Sequence, residues 1–160
     1  MDFNYELSFQ KAKKSDCGIL FEWVNETETR RQSFQSRRIT SEEHNQWFQN
    51  ALKDERIQLL ILYLSEKPVG SIRFSIEGSS AVLSYSIDRG YRGCGLGKEL
   101  IKMASDYGRE SLGLLSLRAV TKLDNIASQK VLLENGFLQI ERLSNQKGLV
   151  FSKDLTLDVF

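Results

Sequence analysis

Four of the chain's 11 glycines, Gly90, Gly93, Gly95 and Gly97, fall within one stretch of eight residues, and that clustering calls for a reason. The stretch stands where an alternating apolar pattern ends and an amphipathic helical pattern begins. Glycine allows positive φ and lets a ligand come close to the main chain. Successive N–H groups at a helix N-terminus, with the partial positive charge of the helix dipole, make a site for anions. Arg92 and Lys98 add cationic side chains beside it. The chemistry this suits is the cradling of a phosphate or pyrophosphate; a plain glycine-rich strand-to-helix turn is the alternative. Two common phosphate loops do not fit. Gly-x-x-x-x-Gly-Lys-Ser/Thr would need a glycine in place of Arg92 and a hydroxyl in place of Glu99. Gly-x-Gly-x-x-Gly meets Lys98 when started at Gly93, and Leu100 when started at Gly95.

Elsewhere the residue types able to do chemistry are sparse. The single histidine is His44. It stands in the first turn of a helix announced by Thr40 and Glu43, a capping box in which hydroxyl and carboxylate each satisfy an orphaned N–H. There it suits an acceptor ligand or a proton carrier near neutral pH, and equally a surface or packing histidine. Residues 26–39 carry Arg30, Arg31, Arg37 and Arg38, with Ser33 and Phe34 among them. Guanidinium groups bind phosphate bidentately, and an aromatic ring stacks on a base or a sugar. A solvated basic loop is the plainer reading. Two cysteines, Cys17 and Cys94, are too few for a disulfide framework, which fits a reducing, cytoplasmic compartment.

These groups need a scaffold, and the hydropathy pattern outlines one. Residues 5–10 alternate as a half-buried strand, with Tyr5, Leu7 and Phe9 apolar. A helix starts at Ser15-Asp16-Cys17 and carries Ile19, Leu20, Trp23 and Val24 on one side. A second spans 41–52, with Trp47, Phe48, Ala51 and Leu52 facing the core. Residues 57–64, 69–76 and 81–87, separated by turns, predict an antiparallel meander. Then the period changes: Leu96, Leu100, Ile101, Ala104 and Tyr107 predict a helix from about Gly95. A strand at 114–120 follows, then a helix at 125–133 that ends at Asn135-Gly136, a left-handed exit. Strands at 137–143 and 149–155 close the chain. The sum is a mixed α/β (α+β) domain over residues 1–160, with a sheet of six to seven strands and four helices.

Composition removes several other classes. A chain of 160 residues fits one domain and buries about 70% of its unfolded surface, enough for a true core. Twenty-two Lys and Arg against 21 Asp and Glu leave a net charge of +1, so no global field directs it to nucleic acid or a membrane surface. The apolar run at 59–64 is far shorter than the roughly 20 residues of a spanning helix. The first residues lack a signal pattern.

Arg92-Gly93-Cys94-Gly95-Leu96-Gly97 resembles the acetyl-CoA pyrophosphate loop of the GNAT N-acetyltransferases, Gln/Arg-x-x-Gly-x-Gly/Ala, at every defined position. Asn125-Ile126-Ala127-Ser128, followed by Asn135-Gly136-Phe137, resembles that family's late helix. With the order of strands, the resemblance spans nearly the whole chain. It implies a GNAT fold in which the strand ending at Ile87 and the strand at 114–120 splay apart in parallel and hold acetyl-CoA between them. Main-chain groups at Ser86 and Ile87 would then hold the pantetheine arm and polarise the thioester. Arg92, Gly93, Cys94, Gly95, Leu96, Gly97 and Lys98 would hold the pyrophosphate, with Asn125 and Ser128 toward the cofactor. Acetyl would pass directly to an amine, without a metal.

Many members of that family place a Tyr, as general acid, seven residues after the Asn. Here that position is Leu132, and a hydrocarbon has no proton to give. Ser128 is the nearest alternative; a helix serine bonding a backbone carbonyl is the other reading. The run Asn-x-x-Ser with Asn-Gly-Phe is similar to the branch that includes ribosomal-protein N-terminal acetyltransferases. Ser84 and Ser86 stand where some members place a Glu, so a water relay is expected to take the amine's proton. Trp23-x-Asn25 with Arg30, Ser33-Phe34, Ile39, Glu43-His44, Trp47-Phe48 and Arg73 is similar to acetyltransferases of nucleotide-linked amino sugars, as in the pseudaminic acid pathway. That resemblance implies that Arg30, Arg31, Phe34, His44 and Arg73 bind a nucleotide-sugar acceptor. A monomer or homodimer is expected, a choice the sequence does not decide. A protein N-terminal amine as acceptor, and a non-catalytic acyl-CoA-binding module, are the alternatives.

Overall fold

The computed structural model describes residues 6–145 and 147–158. Seven strands form one sheet: β1 (Leu7–Lys11), β2 (Ile57–Leu64), β3 (Lys67–Glu77), β4 (Ser80–Ile87), β5 (Ser116–Lys122), β6 (Leu138–Arg142) and β7 (Gly148–Asp154). Their spatial order is β1-β2-β3-β4-β5-β7-β6. The unbroken apolar run of β2 is explained by cover on both faces. Leu59 and Ile61 pack with Leu20, Trp23 and Phe48, contributed by α1 (Cys17–Val24) and α3 (Ser41–Lys53). Leu60 and Leu62 turn the other way, to a core with Ile72, Phe74, Leu100 and Ile101 under α4 (Leu96–Glu110). A strand buried on both faces loses the polar alternation that a half-exposed one keeps.

The expected meander β2-β3-β4 is present, antiparallel throughout. The contact that shapes the molecule is the next one. β4 and β5 are parallel and pair only over Ser80–Leu83 and Ser116–Ala119. Beyond that, β4 continues with β3 as far as Ile87 opposite Gly70, while β5 continues with β7 as far as Lys122 opposite Gly148. Each strand follows its outer neighbour, and a notch opens between them. α5 (Ile126–Glu134) follows β5 and stands at that notch.

Three details differ from the sequence reading. α2 (Thr27–Gln32), within the segment read as a loop, makes a fifth α-helix among the described residues against four expected. It buries none of its residues, so no hydrophobic period announces it; the Glu26 carboxylate caps it by accepting from Thr29 N at 3.1 Å. Trp47 and Leu52 are 37% and 36% exposed, whereas His44 is 3% exposed, so the core face of α3 is turned toward His44, Phe48 and Ala51. Thr40 caps α3 as expected, accepting from Glu43 N at 3.2 Å, while the Glu43 carboxylate is shared between Thr40 Oγ1 at 3.1 Å and Arg37 at 2.8 Å. Tyr5, placed on the first strand, lies outside the described residues.

Gly70 fixes how closely β3 and β4 approach beside the notch. A Cβ there would stand 2.7 Å from the Ser86 carbonyl oxygen and 3.1 Å from Ile87 Cδ1. Gly70→Ala is therefore expected to destabilise the fold by about 1–3 kcal/mol, the usual cost of overpacking, read as a lower denaturation midpoint.

Candidate active site

The glycine turn is held from both sides by Asp88. Its Oδ1 accepts from Gly90 N at 2.8 Å and its Oδ2 from Trp23 Nε1 at 2.8 Å, which hooks α1 onto the turn. Gly93 and Gly95 have φ of +79° and +88°, and a Cβ at either would meet nothing within 4 Å. Conformation, not space, is what requires glycine there. The turn leads into α4, where fully buried Leu96 anchors the first turn. A helix of this length presents unpaired N–H groups and a partial positive charge at that end, which suits a diphosphate.

The side chains of the turn are engaged elsewhere. Arg92 donates from Nε to the Ile87 carbonyl at 3.1 Å and from Nη2 to Glu26 at 2.7 Å. Burial opposes ionisation of Glu26, yet hydrogen bonds from Arg92 and from main-chain N–H groups outweigh it and hold the carboxyl below its ordinary range. Lys98 lies 3.7 Å from Glu134. Cys94 Sγ donates to the Tyr91 carbonyl at 2.8 Å. What the turn offers a ligand is therefore chiefly its main chain.

At the notch, residues 84–87 of β4 pair with β3 on one edge and have no strand on the other. Ser86 Oγ lies 3.4 Å from Ser71 Oγ across the β3 pairing. Asn125 caps α5, its Oδ1 accepting from Ser128 N at 3.2 Å, and so sets Ser128 in the first turn. Ser128 Oγ is 2.7 Å from the hydroxyl of Tyr85 on β4. Burial pushes the Tyr85 phenol up, and the bond to Ser128 works against that rise. Leu132, fully buried, belongs to the core. Tyr85 escaped the sequence reading because its position in an alternating strand marks it as one more core-facing aromatic.

On the acceptor side, the structure gives new roles to several predicted residues. Arg30 is consumed internally: Nε donates to the Val24 carbonyl at 2.6 Å, Nη1 to the Gln35 carbonyl at 3.0 Å and Nη2 to Ser33 Oγ at 3.0 Å. It folds the segment after α2 and has no guanidinium N–H fork left for a phosphate. Arg31 pairs with Glu28 at 2.7 Å and Asp124 at 3.2 Å, docking α2 beside β5. His44 is turned into the packing between α1 and α3. Its Nε2 lies 3.2 Å from the Cys17 carbonyl, and its ring stacks on Phe48 with an interplanar angle of 12°. Burial holds its pKa below the ordinary value. This is a packing histidine.

Two features remain available to a ligand. Phe34, 45% exposed, lines a cavity of ≈ 390 Å³ with Lys122, Leu123, Asp124 and Lys147. Arg73 lies on β3 opposite Ser84, the first β4 residue past the paired segment. Its guanidinium carbon sits 5.4 Å from the Trp47 ring centroid, and its Nε is buried with no hydrogen-bond partner among the described residues. Among those residues no cluster of His, Cys, Asp and Glu fit for a metal occurs, and no helix is long and apolar enough to cross a membrane.

The family description "Acetyltransferase (GNAT) domain" matches residues 6–138. The chain belongs to the GNAT acetyltransferases. As a member it is an acetyl-CoA-dependent N-acetyltransferase, which sets aside the non-catalytic reading. Its fold is similar to a spermidine N-acetyltransferase from Vibrio cholerae, solved with CoA and spermine: TM-score 0.88, 16% identity, covering 96% of this chain and 98% of that one. RimL, a ribosomal L7/L12 α-N-protein acetyltransferase solved with coenzyme A, gives a TM-score of 0.80 at 16% identity, covering 96% of each chain. A domain from Methanocaldococcus jannaschii gives 0.82 at 17% identity, covering 92% of this chain and 97% of that one. Among curated proteins no significant relative is found. The GNAT notch and glycine turn fit acetyl-CoA: the turn has the positive-φ glycines a close diphosphate requires, and β4 has an open edge for a chain-like arm.

Two outcomes are expected. Gly95→Ala places an L side chain at φ +88°, at a cost of about 1–2 kcal/mol, and should weaken acetyl-CoA binding measured by calorimetry. Affinity equal to wild type would remove the turn from the cofactor site. Because the folded pKa of His44 is depressed, the unfolded chain binds its proton first as pH falls. Stability should drop as pH falls below the ordinary His value of about 6.5, and His44→Phe should flatten that slope in urea titrations across pH.

Proposed function

We propose that this enzyme transfers acetyl from acetyl-CoA to the primary amine of a nucleotide-linked amino sugar. The observation that carries the acceptor class is Arg73, a half-buried cation whose buried Nε has no partner among the described residues, one strand away from the notch. Burying a donor without a partner costs about 1–3 kcal/mol, a cost that an anionic or oxygen-rich acceptor would offset. The Phe34 cavity supports the same class, since an aromatic plate with Lys122 and Lys147 suits a base and its phosphates. A polyamine, bound by the Vibrio cholerae neighbour, would face cations here; Asp124, the carboxylate of that cavity, is paired with Arg31.

In this reading the main chain of Gly93, Cys94, Gly95, Leu96, Gly97 and Lys98 holds the pyrophosphate, and that of Ser86 and Ile87 holds the pantetheine arm. Arg92 orients the turn through Ile87 and Glu26. Acetyl-CoA supplies an acetyl group already activated as a thioester. Main-chain donors at the open edge of β4 favour negative charge on its carbonyl oxygen. Ser84 and Ser86 carry no carboxylate, so water relays the amine's proton, and the Ser128 hydroxyl is the acid toward sulfur. The two cysteines, unpaired in the fold, support a cytoplasmic setting.

A second reading, acetylation of a protein N-terminus, is favoured by the Asn125-to-Ser128 helix start together with the likeness to RimL. Mass spectrometry separates the two. With a UDP-linked 4-amino-6-deoxy sugar, a product heavier by one acetyl group is expected. No such product, despite bound acetyl-CoA, would transfer the assignment to peptide amines. Arg73→Gln should raise the KM for the sugar about tenfold or more with little change in kcat, the size of a hydrogen bond to a charged group.

A further inference from the structure

One hydrogen bond joins the two arms of the notch. Tyr85 comes from β4, two residues past Leu83, the last residue of that strand paired with β5. Ser128 comes from the first turn of α5, the element that follows β5. Their oxygens are 2.7 Å apart. Asn125 holds the Ser128 main chain, so the position of the serine hydroxyl is set from two directions.

A serine is a weak acid by itself. Its hydroxyl holds a proton far more tightly than a thiol of pKa about 8.5; a phenol ordinarily stands nearer the thiol, at about 10, and at Tyr85 the bond to Ser128 works against the rise that burial causes. A proton leaving Ser128 for sulfur therefore needs immediate replacement, and the tyrosine within hydrogen-bond distance is able to supply it.

We propose that Tyr85 is the proton source behind Ser128, a two-hydroxyl relay that does the work of the missing acid at Leu132. This rests on the acetyl-transfer reading. As the Ser128 O–H bond breaks toward the leaving sulfur, the Tyr85 O–H bond breaks toward Ser128 Oγ. One S–H and one new Ser128 O–H bond form, and the phenolate left at Tyr85 takes a proton from water. No electrons change owner beyond these bonds. Ser128 is the catalytic residue; Tyr85 acts through it. The positive end of the α5 dipole favours the negative charge at both stages. The partial burial of Tyr85 keeps the phenol protonated between turnovers.

The test needs no acceptor. CoA, carbon-13 labelled at the carbon that bears the thiol, is bound to the full chain and titrated with pH by NMR. Donation from Ser128 should lower the thiol pKa about one to two units below that of free CoA, the equivalent of a hydrogen bond to a charged group. Tyr85→Phe should return at least half of that shift, and Ser128→Ala all of it. Tyr85→Phe should add nothing in the Ser128→Ala background. Ser128→Thr, which keeps a hydroxyl, should restore the shift. A circular dichroism spectrum and a denaturation midpoint near those of wild type confirm that each variant is folded. A thiol pKa in Tyr85→Phe equal to wild type, or a wild-type thiol that titrates like free CoA, would overturn the relay. Failure of wild-type protein to bind CoA at all would overturn the acetyl-CoA reading itself.

Discussion

Everything at the site depends on a parallel strand pair that stays together for four residues a side and then lets go. After Leu83 and Ala119, β4 keeps its bonds to β3, and β5 keeps its bonds to β7. Two inner edges facing one another across a gap offer main-chain N–H and C=O groups to something extended that lies between them. The sheet is thus two half-sheets sharing one short seam. The glycine turn closes one end of the gap, and Ser128 with Tyr85 spans its α5 side. Gly70 allows β3 to lie close enough to keep β4 straight up to Ile87.

Much of this architecture is legible in the sequence because burial and backbone geometry leave local marks. The two-sided cover of β2 appears as an unbroken apolar run. The change of period after Ile87 marks the passage from strand to helix. The crowded glycines mark the positive φ angles at Gly93 and Gly95. In each case one physical constraint acts on neighbours in the chain, and the sequence records it directly.

What stayed hidden depends on partners distant in sequence. Arg30, Arg31, Arg37 and Arg92 look alike as residue types, yet carbonyls or carboxylates of the same protein occupy all four. Arg73, with no acidic neighbour in the strand pattern to distinguish it, is the one whose Nε is orphaned. The role of His44 is decided by the Cys17 carbonyl and three aromatic rings from Phe21, Trp47 and Phe48. Helix α2 shows no amphipathic stripe because none of its residues is fully buried. Tyr85 looks like core until α5 brings a hydroxyl to it.

The way α2 is attached has a further consequence. No residue of this helix is buried; it is clipped to the body by Glu26 on Arg92, Arg31 on Asp124, and the Lys122 ammonium on the Arg31 carbonyl. Added salt weakens exposed ion pairs as the screening length falls from about 10 Å at 0.1 M to about 3 Å at 1 M, while salting-out anions strengthen apolar burial. Helix α2 and the hydrophobic sheet therefore answer to the ionic medium in opposite directions. The solution around the molecule acts as a dial on how firmly α2 is held and leaves the glycine turn, whose shape is set by main chain, almost untouched.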